Sequence, residues 1–252
     1  MKEFFFEHAE IIENKSISRE IFSMKIRMGD LKNARAGQFV MVYLEKGEML
    51  LPRPISICDI DSNTLEIVYQ VVGKGTKVMS EMLPGQCLKI LGPLGNGFKI
   101  ETGQRVALVG GGIGVPPLFL LAKTLVANGM KVNAYLGFRT APILAERFQT
   151  VAENVFIATE DGSVGHRGFI TEILQSSNEK YDEIFACGPL PLLRALAEFS
   201  QATEIPCQVC MEERMACGLG TCVGCVVRVG ESYVRICTEG PVFSANEVNW
   251  NE

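Results

Sequence analysis

Cysteine placement constrains this chain more than any other feature of its 252 residues. Of nine cysteines, Cys207, Cys210, Cys217, Cys222, Cys225 and Cys237 crowd the last fifth, and only Cys58, Cys87 and Cys187 precede them. An odd total fits poorly with a secreted disulfide framework, and clustered cysteines in a reducing compartment more often bind metal or do chemistry. The opening residues, MKEFFFEHAEIIENK, break their apolar triplet at once with Glu7, His8 and Glu10 and do not read as a signal peptide. The uncharged run from Val106 to Ala122 contains GGGIG and Pro116-Pro117, so it would break as a membrane helix. A cytoplasmic protein with no membrane association is therefore expected. The net charge of −5 argues against nucleic acid as a partner, which needs a basic face to displace counterions.

Within the cluster, Cys217-x4-Cys222-x2-Cys225 is followed after eleven residues by Cys237. The x4 and x2 gaps match the loop that wraps a plant-type [2Fe–2S] cluster, whose fourth thiolate comes from farther along. Four thiolates must converge on a compact anionic group, so the backbone has to curl and aim N–H groups at sulfur. Gly218, Gly220 and Gly224 permit that path. A zinc ribbon built from Cys207-x2-Cys210 and Cys222-x2-Cys225 is the alternative. Against it, PCQVCM reads as a strand, which sends residues three apart to opposite faces, and Cys217 and Cys237 are left without a role.

The rest of the chain reads as two regions. Residues 1–100 carry short strand-like runs (FSMKIRM, GQFVMVYLE, LPRPISICDI, TLEIVYQVV, QCLKILG) around one helix, TKVMSEML, which predicts an antiparallel β-barrel. Residues 101–205 alternate strand and helix: VALVG, PPLFLLAKTLVANG, VNAYLGF, a short helix near Ile143–Phe148, VFIAT, FITEILQSS, DEIFACG and LPLLRALAEFSQ. That rhythm predicts a Rossmann-like parallel α/β sheet with helices on both faces. Residues 206–252 form a third, cysteine-rich region too small to fold well without a staple.

Two further motifs carry chemistry. Gly110-Gly111-Gly112-Ile113-Gly114-Val115-Pro116-Pro117 sits where a strand meets a helix, a place suited to a pyrophosphate. It lacks the third glycine of the dinucleotide fingerprint, and Arg139 stands where an acidic ribose partner is expected, so a plain βα turn and a 2′-phosphate contact both stay open. Cys187-Gly188-Pro189 ends a later strand at the carboxyl edge of the same sheet. In the barrel, Arg53-Pro54-Ile55-Ser56 could hold a phosphate bidentately and hydrogen-bond a flavin, and Gly75-Thr76 opens a helix.

The order RPIS, GKGT, LGPLGNGF, VGGGIGVPPL, ACGP resembles the ferredoxin–NADP reductase superfamily over essentially the whole chain. MEERMACGLGTCVGC at the C-terminal side is similar to the electron-transfer subunits of NAD-dependent dihydroorotate dehydrogenase. The resemblance implies FAD in the barrel, a [2Fe–2S] cluster at the C-terminus and reaction with NAD. It places flavin contacts on Arg53, Pro54, Ile55, Ser56, Val68, Tyr69, Gln70, Gly75 and Thr76. It places cluster ligands on Cys217, Cys222, Cys225 and Cys237, and nicotinamide contacts on Gly112, Gly114, Cys187, Gly188 and Pro189. It also implies an FMN-containing catalytic subunit as partner, two copies of each forming a heterotetramer, with a role in pyrimidine biosynthesis. A related reductase subunit of a hydrogenase or a ferredoxin-linked transhydrogenase is the alternative function.

Overall fold

The computed structural model describes residues 5–29, 31, 33–44, 49–101 and 103–250; Glu45, at the end of one expected strand, lies outside them. The chain divides into two compact units: residues 1–97, 212–227 and 233–241 form the first, and 98–211, 228–232 and 242–252 the second. The segment from 206 onward thus contributes to both.

The first unit holds a closed barrel of six strands in the order β1-β2-β5-β4-β3-β6. These are β1 (Phe5–Ser18), β2 (Ile21–Arg27), β3 (Phe39–Tyr43), β4 (Arg53–Asp61), β5 (Thr64–Gln70) and β6 (Cys87–Leu94). All neighbouring pairs are antiparallel. Closure leaves no free strand edge, and alternate side chains fill the interior. Ile11, Met24, Ile26, Val42, Ile57, Leu65, Ile67 and Ile90 are fully buried there. Between β5 and β6 lies α1 (Lys74–Glu81). The longest strand, β1, was not expected: His8, Glu10 and Lys15 among its outward residues mask the alternation that buries Ala9 and Ile11.

The second unit is built on a seven-stranded sheet, ordered β10-β9-β8-β7-β11-β12-β15. Its first parallel strands are β7 (Arg105–Gly111), β8 (Lys131–Phe138), β9 (Asn154–Thr159) and the short β10 (His166–Arg167). β11 (Glu183–Cys187) and β12 (Cys207–Cys210) continue the sheet on the far side of β7. Between them run α2 (Pro117–Ala127), α3 (Ala145–Gln149), α4 (Ile170–Ser176) and α5 (Leu190–Thr203). Right-handed crossovers moving one way from β7 put α2 and α3 on one face. The return across β7 puts α4 and α5 on the other. Phe119 and Phe148 pack edge to face between α2 and α3, with ring centroids 5.4 Å apart. The strand order reverses between β7 and β11, where open α/β sheets offer a crevice at their carboxyl ends.

The remaining strands are β13 (Val226–Val229) and β14 (Ser232–Arg235), which form a two-stranded ribbon, and β15 (Val242–Ser244). β15 pairs antiparallel with β12, Gln208 opposite Ser244 and Cys210 opposite Val242. Among the described residues no helix is long and apolar enough to cross a membrane.

Candidate functional site

Three loops gather the residues singled out above. In the barrel unit, Arg53 opens β4 and Gly75 lies in the first turn of α1. A Cβ on Gly75 would fall 1.9 Å from Arg53 Nε, so the guanidinium lies directly on the glycine. The first N–H groups of a helix have no intrahelical acceptor, and together with a guanidinium they make a cradle for an anion. Arg53 Nη1 donates to the Leu51 carbonyl at 2.5 Å, which helps hold the guanidinium in place. Thr76 shapes the turn: its Oγ1 accepts from the N–H of Val72 at 2.9 Å and of Gly73 at 3.2 Å. Its contribution to an anion is therefore the main-chain N–H.

Pro54, Ile55 and Ser56 follow on β4 and are half-buried, with Ser56 opposite Phe39 of β3. On β5, Val68 and Tyr69 are buried and Gln70 is exposed. The Tyr69 hydroxyl donates to Asn14 Oδ1 at 3.0 Å, and burial raises its pKa. Its ring stacks on Phe22 with centroids 5.9 Å apart. With both ring and hydroxyl engaged, Tyr69 can offer a flavin only its main chain.

At the carboxyl edge of the parallel sheet, Gly112–Gly114 forms a single 3-10 turn between β7 and α2. The glycines there do different work. Gly112 has φ +53 and faces open space, which leaves room for a ligand. A Cβ on Gly114 would meet the main chain of Cys187 and Gly188 at 2.5 Å. The structure therefore brings Gly114 and Cys187-Gly188 together, and Pro189 packs beside Gly111. Cys187 itself is buried, 8% exposed.

The cysteine loop lies in the barrel unit. Gly218 has φ +72 and passes so close to Met41 and Leu94 of the barrel that a Cβ would stand 2.8 Å from Met41 Cγ. Asn96, just past β6, donates through Nδ2 to the carbonyls of Thr238 at 3.2 Å and Glu239 at 2.7 Å. These contacts seat both the loop and the later segment that carries Cys237.

Main-chain donors converge on the sulfurs. The N–H groups of Leu219 and Cys222 reach Cys217 Sγ at 3.4 and 3.5 Å. Burial would raise the Cys217 thiol, but the N–H groups of Cys222, Leu219 and Thr221 and the Cys222 side chain outweigh it and bring the pKa down to about 6. Cys237 moves the other way, pushed up to about 12 by burial first and then by the neighbouring Cys225. The thiols act on one another: the Cys222 side chain on Cys217, and Cys225 and Cys217 on Cys237. A binuclear cluster takes two thiolates per iron, so this donor set fits a [2Fe–2S] group. Among the described residues, no group of three or more His, Cys, Asp or Glu side chains is arranged to hold one metal ion. The zinc-ribbon alternative loses its footing, because Cys207 and Cys210 are buried residues of β12, three apart along a strand laddered to β11. Burial, with the nearby Glu183 charge, pushes the Cys207 thiol up to about 12, as for an inert core residue.

Arg235 went unnoticed in the sequence. Its guanidinium donates to the Gly220 carbonyl at 3.0 Å and to Glu239 at 2.6 Å. Only its position two residues before Cys237 could have flagged it.

Comparisons with known proteins identify the family. Residues 212–249 match the iron-sulfur cluster binding domain of dihydroorotate dehydrogenase B. The chain is 41% identical to the dihydroorotate dehydrogenase B (NAD+) electron transfer subunit of Caldanaerobacter subterraneus subsp. tengcongensis, over 95% of this chain and 97% of that one. It is 42% identical to the subunit of the same name from a Geobacillus species, over 96% and 98%. A solved structure of an NADH-dependent reduced ferredoxin-NADP oxidoreductase superposes with a TM-score of 0.89 at 31% identity, over 96% of this chain and 90% of that one. The ferredoxin NADP+ reductase of Neisseria gonorrhoeae, solved with FAD and NADP, shares the fold at TM-score 0.65 and 16% identity, over 79% and 91%. By its identity to full-length relatives and its cysteine domain, this chain belongs to the family of electron transfer subunits of NAD-dependent dihydroorotate dehydrogenase B.

Proposed function

We propose that this chain passes electrons between an FMN-containing dihydroorotate dehydrogenase catalytic subunit and NAD, in a cytoplasmic heterotetramer of two of each. The observation that carries this reading is the presence, in one barrel unit, of both the Arg53–Gly75 anion cradle and the four-cysteine loop. When bound, NAD exchanges hydride, a [2Fe–2S] cluster passes single electrons, and FAD can do both, which places FAD between the other two.

The residues divide the work. Arg53 and the first N–H groups of α1 would hold the flavin pyrophosphate, and Pro54, Ile55, Ser56 and the main chain of Val68–Gln70 would border the ring system. The open face above Gly112, with Cys187-Gly188-Pro189 beside it, would receive the nicotinamide nucleotide. Cys217, Cys222, Cys225 and Cys237 would ligate the cluster, and the N–H groups of Leu219 and Cys222 would steady its thiolates. Among the described residues none form a recognisable acid–base site for a pyrimidine ring, and dihydroorotate oxidation is assigned to the partner.

The test is stopped-flow spectroscopy. Alone, the loaded chain should let NADH reduce its flavin, and from there a one-electron dye, while dihydroorotate leaves it oxidised. With the catalytic subunit added, dihydroorotate should reduce NAD, and Cys222→Ser should block that coupling while sparing flavin reduction by NADH. Flavin bleaching by dihydroorotate without a partner would overturn the assignment. A second reading, a subunit of a ferredoxin-linked transhydrogenase, is favoured by the NADH-dependent ferredoxin-NADP oxidoreductase neighbour, although its 31% identity is below the 41% of the dihydroorotate dehydrogenase relative. A native pull-down that recovers the companion subunit separates the two.

A further inference from the structure

No motif described above includes Asn14 of β1, yet three hydrogen bonds converge on its side chain. Its Nδ2 donates to the carbonyls of Met79 at 2.8 Å and Met82 at 2.9 Å. Its Oδ1 accepts from the Tyr69 hydroxyl at 3.0 Å. The partners fix which way the amide faces: two carbonyls can only accept, so the nitrogen must meet them, and both of its hydrogens are used. Asn14 stands opposite Met24 in the β1–β2 ladder. Directly opposed residues share a face, and Met24 is fully buried, so Asn14 lies on the inner side of the barrel wall.

The three partners belong to two different elements. Met79 and Met82 stand at the C-terminal end of α1, where the last carbonyls of a helix have no intrahelical donor. The Met79 side chain is fully buried, which anchors the same turn. A helix of this length is stiff and only about 12 Å long, so holding its last turn against β1 also sets the direction of its first turn. That first turn carries Gly75, on which the Arg53 guanidinium lies. Tyr69 belongs to β5, and its ring is stacked on Phe22, so its hydroxyl meets Asn14 from a fixed position. One amide thus ties the helix of the anion cradle to the strand whose main chain, at Val68–Gln70, faces the ring site.

Building on the flavin reading of the barrel, we propose that Asn14 is a positioning residue for the flavin: it holds α1 and β5 at the spacing that FAD must bridge. It acts through the helix and the strand, and it sets the preference for a flavin with a pyrophosphate over one without. A ligand held at two points gains from the second contact only when the two elements already stand at the right separation. FAD would meet both, with its pyrophosphate on α1 and Arg53 and its ring along β4 and β5. Riboflavin would meet the strands alone.

The experiment compares wild type, Asn14→Leu, Tyr69→Phe, the double variant and Ile90→Val, a core truncation on β6 outside this link. Each full-length chain is freed of flavin and titrated separately with FAD and with riboflavin, read by quenching of flavin fluorescence, with urea unfolding measured in parallel. Asn14→Leu should weaken FAD about tenfold, the order that lost hydrogen bonds imply, and leave riboflavin within about twofold of wild type. Tyr69→Phe, which cuts only the strand side, should weaken FAD in the same selective way. The double variant should be no weaker than Asn14→Leu, since both changes break one link. Ile90→Val should lower the urea midpoint and leave the ratio of the two affinities unchanged. Equal losses for FAD and riboflavin in Asn14→Leu, an unchanged FAD affinity, or additive losses in the double variant overturn the proposal. Should Asn14→Leu fail to fold, an unchanged affinity ratio in Tyr69→Phe overturns it. Wild type that takes up no FAD defeats the flavin reading and the proposal with it, whereas the other outcomes leave that reading standing.

Discussion

The nucleotide loop and the cysteine loop are both glycine-rich, and the glycines answer to different physics. In the nucleotide loop, Gly111 and Gly114 have no room for a side chain: Gly114 presses on the main chain of Cys187, and Gly111 on Leu192 and Pro189. In the cysteine loop a Cβ would also crowd Met41 at Gly218 and Thr238 at Gly220, but there φ is +72 and +81 as well, and the gain is a backbone that turns N–H groups toward sulfur. The first kind of glycine joins two strands of one sheet. The second kind shapes a donor shell. Damage at the first should therefore register as lost folding, and damage at the second as lost metal chemistry with the fold intact.

The largest expected effect tests the second half of that contrast. Cys217→Ser should abolish the cluster while leaving the barrel able to take FAD, since a thiolate ligand is lost but Arg53 and Gly75 are untouched. Iron and sulfide analysis beside the flavin spectrum reads both, and a full iron complement would refute the ligand role. Gly114→Ala addresses the first half. Its Cβ has only backbone to push against, so unfolding stability should fall by about 3 kcal/mol, the upper end for overpacking. Urea denaturation measures this, and an unchanged midpoint would show that β7 and β11 can part freely.

Arg53→Ala sharpens the comparison with the proposed flavin cradle, where a charge is set against the glycine at Gly75. Losing one charge-assisted contact to phosphate should cost about 1.5–3 kcal/mol, or roughly ten- to a hundredfold in FAD affinity. Flavin retention after dialysis is the measure, and undiminished retention would remove Arg53 from the site. The smallest effect concerns pH. Because the Cys217 thiol is brought down to about 6, its thiolate persists above that pH and is lost as pH falls through it. Alkylation of the cluster-free chain at Cys217 should rise between about pH 5 and 7 and then level off, while Cys207, pushed up to about 12, stays unmodified. Peptide mapping by mass spectrometry distinguishes the two sites.

Much of this architecture was legible in local pattern. The alternation in RPISICDI and TLEIVYQ gave strands, and the switch to a βα rhythm at Arg105 marked the parallel sheet. The cysteine spacing pointed to a binuclear cluster because x4 and x2 gaps constrain a loop tightly. Other features are non-local and left no local trace. β1 was hidden because a strand with one face in solvent can carry as many charges as a loop. The division of labour between Gly112 and Gly114 depends on Cys187, more than seventy residues away. The engaged hydroxyl of Tyr69 depends on Asn14, brought near by barrel closure. Arg235 was legible only through its place two residues before Cys237, since the Gly220 carbonyl it meets has no sequence signature.

The pairing of β12 with β15 has a consequence for how this chain can vary. Cys210 and Val242 stand opposite each other, so the excursion from Met211 to Pro241 leaves one sheet edge and returns to the adjacent strand. Its two ends are already closed by ladder hydrogen bonds, and lengthening a loop closed in that way adds little entropy cost. Between Cys225 and Cys237, however, residues 228–232 belong to the second unit, with the Gly230 N–H donating to the Glu247 carbonyl, so that spacing is tied down independently of the β12–β15 register. Changes of length between those stems therefore spare the β12–β15 register and are felt instead where Gly218 meets Met41 and where Asn96 holds Thr238 and Glu239.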